Sequence, residues 1–402
     1  MKYLIILGDG MADEPIASLG NKTCLQAANI PNIDKIAALG RNGLLDTIPE
    51  GFAPGSEIAN LSVLGYKVAE VFEGRGSLEA ASMGVDIKPG EMAMRCNLIC
   101  IENKKIKNHS AGHISNEEAE ELILFLQKEL GNETVSFFPG VSYRHLLKMK
   151  GGNKNLKCTP PHDVTGTAFV DVMIQPETKE AEETASILNN LILRSQELLE
   201  NHPVNLKRAA GGKDKANSIW PWSPGYKPSM KTLLELYNLK SGSVISAVDL
   251  ILGIGVYAGL KVIHVEGATG LYNTNYEGKA QTAIDALRTD DFVYLHIEAS
   301  DEAGHEGDVA LKMKTIEYLD KRVVKPIFDE ISTWNEPVTI AILPDHPTPC
   351  VYKTHTNSPV PFIIYRPGDT PDEVKVYDEF AAAKGSYGLL KGAEFMKELI
   401  IL

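Results

Sequence analysis

Short apolar runs alternate with helical stretches along much of this chain, and that rhythm restricts its fold more than any other feature. Lys2–Leu7, Phe292–Glu298, Val338–Leu343 and Pro361–Tyr365 are strand-length and nearly unbroken by polar residues. They read as strands covered on both faces, since a strand with one wet face would alternate. Ile33–Leu39, Lys279–Leu287 and the longer Leu311–Glu330 carry helical patterns around them. Strand, helix, strand in succession predicts a parallel sheet with helices on both faces, the α/β class. Ser243–Val265 is the longest apolar stretch, but Asp249, Lys261 and several glycines interrupt it. It predicts a buried helix over 246–258 feeding a strand, Lys261–Glu266, rather than a membrane span.

From about Val71 the texture changes. Met92–Glu102 and Val135–Phe138 read as strands, Asn116–Leu130 (capped by Ser115 or Asn116) and Glu180–Glu200 as helices. Loops bearing Gly, Pro and polar residues separate them over Lys150–Asn155, Thr159–Thr167 and Ala209–Pro228. The expected layout is one discontinuous α/β domain, 1–70 with 236–402, interrupted by a smaller α/β or α+β insertion over 71–235.

The 402 residues carry a formal net charge of −13, which argues against a general nucleic-acid binder. It leaves room for small phosphorylated ligands, because metal ions and a few basic side chains supply positive charge locally. The cysteines at 24, 96, 100, 158 and 350 are odd in number and form no CxxC, which fits a reducing cytoplasm. The apolar run after Met1 is cut short by Asp9, too soon for a secretory signal.

In open parallel sheets, functional groups gather beyond the carboxyl ends of the strands. Asp9 follows the first run; Asp301 and His305, spaced i and i+4, follow Phe292–Glu298; Asp345 and His346 follow Val338–Leu343; and His355 lies on the continuing loop. Three carboxylates and three imidazoles at strand ends suit two divalent cations with positions left for substrate oxygens. Ser56 follows a Pro54-Gly55 turn and precedes a helical run, Glu57–Leu64. It fits a helix N-cap, and equally a nucleophile activated by a cation.

Specific stretches carry a resemblance. ILGDGMAD (6–13), APGSEIANLSVLGY (53–66), GRGSLEA (74–80), SAGHIS (110–115), PHDVTG (161–166), ISAVDLILGIG (245–255), HIEASDEAGHEGD (296–308), LPDHPTP (343–349) and THTNSPVPF (354–362) occur in order over nearly the whole chain. On these the chain resembles the 2,3-bisphosphoglycerate-independent phosphoglycerate mutases, in their shorter archaeal-type branch, within the alkaline phosphatase superfamily. The resemblance implies a metal-binding phosphatase-like domain with an inserted transferase-like domain. It implies one ion on Asp301, His305 and His355, and another on Asp9, Ser56, Asp345 and His346. Mn²⁺ is the expected metal, with Mg²⁺, Zn²⁺ or Co²⁺ as alternatives, and no 2,3-bisphosphoglycerate is required. Ser56 would be phosphorylated transiently while 3-phosphoglycerate and 2-phosphoglycerate interconvert, and closure of the insertion would exclude water.

Lys279 matches a family lysine near the phosphoryl group; Asp163 and His113 stand in matching motifs as acid–base or glycerate contacts. Arg75 and Arg95 have the fork that grips carboxylate or phosphate. The longer bacterial mutases carry an Arg-rich stretch in the insertion that has no counterpart here, where Arg208 and Lys227 are the nearest basic residues. The same metal and serine core would also serve a homoserine kinase-like phosphotransferase or a metal-dependent phosphatase. The expected partner is a small phosphorylated carboxylic acid, with neither nucleic acid nor membrane.

Overall fold

The computed structural model describes residues 1–400. It comprises two compact units: Met1–Phe72 together with the chain from Ser229 onward, and Glu73–Pro228. The sequence reading placed 71–72 and 229–235 in the insertion. These residues pack instead in the first unit, where Tyr66 donates its hydroxyl to the Lys231 carbonyl at 2.8 Å and the Leu233 N–H reaches the Ala258 carbonyl.

The first unit is built on an eight-stranded sheet in the order Lys261–Ile263, Gly242–Ile245, Phe292–Ile297, Lys2–Gly8, Val338–Leu343, Val360–Tyr365, Arg41–Asp46, Gly388–Lys391. The first five are parallel; Val360–Tyr365 runs against its neighbours. Lys2–Gly8 is the centre, buried along its length, with Ile6 opposite Leu295 on one side and Ile342 on the other. The parallel α/β expectation is met, and the continuous apolar runs are explained by helices on both faces.

Differences from the sequence reading have physical causes. Gly242–Ile245 is too short and too small in side-chain volume to show as a run, yet it is fully buried. The helix expected over Leu311–Glu330 is Val309–Tyr318, then a π-helical turn at Leu319–Val324, then Lys325–Ile331. Pro326 has no N–H to donate to the preceding turn, and the wider turn lets the chain continue past it. The strand expected over Lys261–Glu266 stops at Ile263.

In the second unit, Glu91–Glu102 pairs antiparallel with Arg144–Lys150 and with Ser218–Gly225. Ser218–Gly225 lies in what the sequence suggested was a loop, because it holds Pro221 and Pro224. It borders only Glu91–Glu102, and an outer strand tolerates proline. Asn116–Leu130 forms as expected, with Ser115 accepting from the Glu118 N–H. It packs with Glu182–Leu199 into this unit's own core around Leu98, Leu122 and Leu188.

No helix among the described residues is long and apolar enough to cross a membrane. Leu295→Ala, at a fully buried position beside the central strand, is expected to cost about 2–5 kcal/mol, read as a lower urea midpoint with the same slope.

Candidate metal centre

The carboxyl ends of Phe292–Ile297, Lys2–Gly8 and Val338–Leu343 deliver Glu298, Asp9 and Asp345 to one place in the first unit. Asp9 and Asp345 are buried. His346 Nε2 lies 3.2 Å from Ser56 Oγ, 3.5 Å from Asp345 Oδ2 and 3.7 Å from Asp9 Oδ1. Beside this group, His305 Nε2 and His355 Nε2 are 2.9 Å apart, with Asp301 oxygens 3.3 and 3.5 Å from them respectively. The His346 and His355 rings stand 4.0 Å apart, so the two groups adjoin.

Two close approaches make this possible. Gly10 turns the chain at φ +62, and a Cβ there would lie 2.7 Å from Asp301 Oδ1 and from Thr348 Oγ1. Gly304 lets the helix Ala299–Glu306 sit against the Thr348 carbonyl, 2.4 Å from where its Cβ would be. That helix starts just past its strand and presents Asp301 and His305 one turn apart.

The electrostatics are those of a cation site. Burial, then Asp345 and Asp301, push the Asp9 carboxyl well above the usual range. Asp9 Oδ1 has no hydrogen-bond partner although it is buried. Burial would also raise Asp301, but hydrogen bonds from His305 and His355 hold it well below the ordinary value. The same pairing with Asp301 lifts His305 to about 9. Burial keeps His346 low. An orphaned buried carboxylate oxygen, three imidazole nitrogens turned inward and carboxylates clustered against their mutual repulsion fit divalent metal. Donor atoms of Asp9, Asp345 and His346, and of Asp301, His346 and His355, lie within 4.8 Å of one another in each set. His346 belongs to both.

Ser56 is the first residue of the helix Ser56–Val63; Gly55 occupies the cap position and no side chain caps it. The N-cap role considered from sequence is not the one seen: the hydroxyl points at His346 instead. Lys279 is fully buried on the helix Tyr276–Thr289, and its Nζ donates to the His296 carbonyl at 3.3 Å. Burial lowers its pKa to about 8 against the pull of Glu298.

Sequence reasoning missed several contributors. Glu298 offers an oxygen within 4.8 Å of Asp9 and Asp301 oxygens, and its strand-end position was the available signal. His296 is buried, lowered to about 3 by burial, and lies 3.0 Å from Asp9 Oδ2. Asn60 bridges the Ser56 carbonyl and Asp345 Oδ2 through one amide group and accepts from Tyr294. Thr348 reaches Asp301 and His346. Such supports orient ligands, and nothing in their spacing marks them in sequence.

The remaining candidates are in the second unit. Arg95 is buried, pairs with Glu79 at 2.9 Å and lies over Trp222. Arg75 also faces Trp222. Burial lowers Arg95, Glu79 opposes this, and Arg75 and Arg144 lower it further. Arg144 therefore joins a cluster the sequence did not reveal, and the Nε atoms of Arg75, Arg95 and Arg144 are all buried without a partner. His162 stacks edge-on between Trp222 and His109. Asp163 is exposed next to His162, and His113 is exposed at φ +53. Arg208 is spent on internal contacts: it donates to the Asp214 and Ala111 carbonyls and pairs with Glu118. Lys227 is exposed and pairs with Asp86 at 2.9 Å.

A parallel α/β sheet whose strand ends carry a buried Asp–His cluster able to hold divalent metal, beside a serine hydroxyl, fits the class of metal-assisted phosphoryl-transfer enzymes. A family model for 2,3-bisphosphoglycerate-independent phosphoglycerate mutase matches residues 37–205. Over 404 aligned residues, covering all of both chains, the sequence is 54% identical to the 2,3-bisphosphoglycerate-independent phosphoglycerate mutase of Methanosarcina acetivorans. It is 45% identical to a probable enzyme of that name from Geobacter sulfurreducens, again over the whole of both chains. Among solved structures, a Pyrococcus horikoshii protein superposes with a TM-score of 0.84 at 32% identity, covering 99% of this chain and 97% of that one. The cofactor-independent phosphoglycerate mutase of Thermoplasma acidophilum does so with 0.68 at 28% identity, covering 99% of each. The chain belongs to the 2,3-bisphosphoglycerate-independent phosphoglycerate mutases.

Lys312 pins the centre from behind: fully buried, it donates to the Ala12 and Thr348 carbonyls and pairs with Asp13 at 2.9 Å. Lys312→Met leaves Asp13 buried and unpaired, so a loss of about 3–5 kcal/mol is expected, measured by denaturant unfolding.

Proposed function

We propose that this chain interconverts 3-phosphoglycerate and 2-phosphoglycerate through phosphorylated Ser56. The observation that carries the reading is the Ser56 hydroxyl set against His346 at the edge of the buried Asp–His centre. Asp301, His305 and His355 would hold one divalent ion; Asp9, Asp345, His346 and Ser56 the other. When bound, the ions neutralise phosphoryl oxygens and favour the serine alkoxide. The mixed carboxylate and imidazole donors suit Mn²⁺.

Ser56 gives up its hydroxyl proton and its Oγ attacks phosphorus in line; the bond from phosphorus to the glycerate oxygen breaks, and that oxygen takes up a proton in exchange. Lys279, lowered towards neutrality by burial, is suited to assist near the phosphoryl group. The other glycerate hydroxyl then loses its proton and attacks phosphorus, the bond from phosphorus to Ser56 Oγ breaks, and Oγ regains a proton. Because the phosphoryl group waits on Ser56, no bisphosphorylated cofactor is needed. Glycerate must be held by its carboxylate meanwhile. Arg75, Arg95 and Arg144 offer more positive charge than Glu79 balances, with unpartnered nitrogens, and that supports them as the grip. Asp163 and His113 lie in the same unit as candidate contacts; Arg208, already fully bonded, is a poorer one than the sequence suggested. Water exclusion during the glycerate stage is the role proposed for the inserted unit, Glu73–Pro228. All five cysteines are free, which suits a cytoplasmic setting.

Phosphorus NMR with Mn²⁺ and 3-phosphoglycerate, without bisphosphoglycerate, should show 2-phosphoglycerate. Free phosphate alone would indicate a phosphatase, and no reaction would overturn the mutase reading. Ser56→Ala should lower turnover by at least about 10³-fold while metal binding persists; appreciable turnover in that variant removes Ser56 as nucleophile. Metal uptake should release protons, because His305, lifted to about 9 by Asp301, holds one at neutral pH and a ligating imidazole must be neutral. Apparent affinity should therefore rise with pH towards 9. Calorimetry in two buffers of different ionisation enthalpy reads the proton count.

A further inference from the structure

We propose that a second cavity in the first unit, remote in its residues from the metal centre, binds a small anion with an apolar body. The cavity holds about 560 Å³, within the range of small-molecule sites, roughly 300–1,000 Å³. None of the residues assigned to the metals lines it. Its walls are Tyr66, Val71, Met230, Leu236 and Tyr237. They are held in place: Tyr66 is tied to the Lys231 carbonyl at 2.8 Å. Gly65, at φ +85, leaves room that any side chain would close, since a Cβ there would lie 2.2 Å from the Tyr237 hydroxyl.

The edge is cationic. Lys67, Lys231 and Lys397 border the cavity, and the one carboxylate there, Glu70, is engaged by Lys67 at 3.1 Å. Among the described residues neither Lys231 nor Lys397 forms an ion pair; Glu235, lowered by hydrogen bonds from the Thr232 N–H and hydroxyl and further by Lys231, is already engaged by Thr232. In a chain of net charge −13, two free ammonium groups over an apolar hollow select for a negative head on an apolar, preferably aromatic, body. Phosphoglycerate has the charge but no apolar body, so this is not a second substrate site. Position gives the occupant a regulatory task. Val71 stands just before the chain leaves this unit after Phe72, and Ser229 and Met230 stand just after it returns. An occupant packed on both segments stiffens the two joins on which any movement of the inserted unit depends.

The test uses 8-anilinonaphthalene-1-sulfonate with the full-length, Mn²⁺-loaded protein. Saturable binding at one site per chain is expected, at least tenfold weaker in the double variant Lys231→Glu, Lys397→Glu, whose activity without probe stays unchanged. Equal affinity in wild type and variant overturns the site. The neutral N-phenyl-1-naphthylamine should bind at least tenfold more weakly than the sulfonate; equal binding overturns the anion requirement. Met230→Trp, which fills the hollow without changing charge, should also abolish binding, and retention of full affinity there places the probe elsewhere. At saturation the probe should lower wild-type kcat but leave that of the charge-reversed variant alone. An unchanged wild-type kcat overturns the regulatory role.

Discussion

Three carboxylates buried in one small volume are the constraint that the rest of this structure answers. Asp9, Asp301 and Asp345 are each at most 5% exposed. Two like charges about 4 Å apart repel by about 4 kcal/mol at an effective dielectric of 20. Burial beside Asp345 and Asp301 raises the Asp9 carboxyl, while hydrogen bonds from His305 and His355 lower Asp301, so the two carboxyls are driven in opposite directions. What remains unsatisfied, above all Asp9 Oδ1, is a donor atom of the kind that fits a divalent cation. The parallel sheet makes the crowding geometrically possible: three adjacent strands, in register, end at one edge.

Holding such a centre needs supports that are not themselves ligands. Lys312 ties the loop after Asp9 to the loop after His346 by two carbonyls and a carboxylate. Asn60 does similar work on the other side, locking the helix of Ser56 to Asp345 and passing the contact on to Tyr294. Lys312 and Asn60 both draw partners from distant parts of the chain, so ligand geometry is set by the whole domain rather than by the loops. Around Arg95 in the second unit the balance is reversed: the guanidinium groups of Arg75, Arg95 and Arg144 gather about one paired carboxylate, Glu79.

The parts legible in sequence were those with continuous local signals. Val338–Leu343 declared itself by being apolar throughout, and Asp345-His346 by following it. Gly242–Ile245 and Arg41–Asp46 gave no such run: a glycine and a serine, or an arginine and an asparagine, replace the branched residues, and pairing within the sheet alone defines them. The arginine cluster could not be read because its members come from the start of a helix, the middle of one strand and the start of another. A contiguous basic stretch was the wrong thing to seek. Arg208 shows the converse: a basic residue in a promising place, fully consumed by Asp214, Ala111 and Glu118.

Ser56 shows where sequence reasoning must stop, and why. A serine after Pro-Gly and before a helical run satisfies the cap pattern and the nucleophile pattern equally. One residue of register separates them. With Gly55 extended at φ −179 in the cap position, Ser56 becomes helical and its hydroxyl is released from the backbone to His346. The first-turn N–H groups are left without a side-chain cap. A helix start favours nearby negative charge by about 0.3–1 kcal/mol. A capping serine would have spent its oxygen on those same groups. By giving the cap position to a residue without a side chain, the chain leaves the Ser56 hydroxyl unspent on its own backbone and set beside His346.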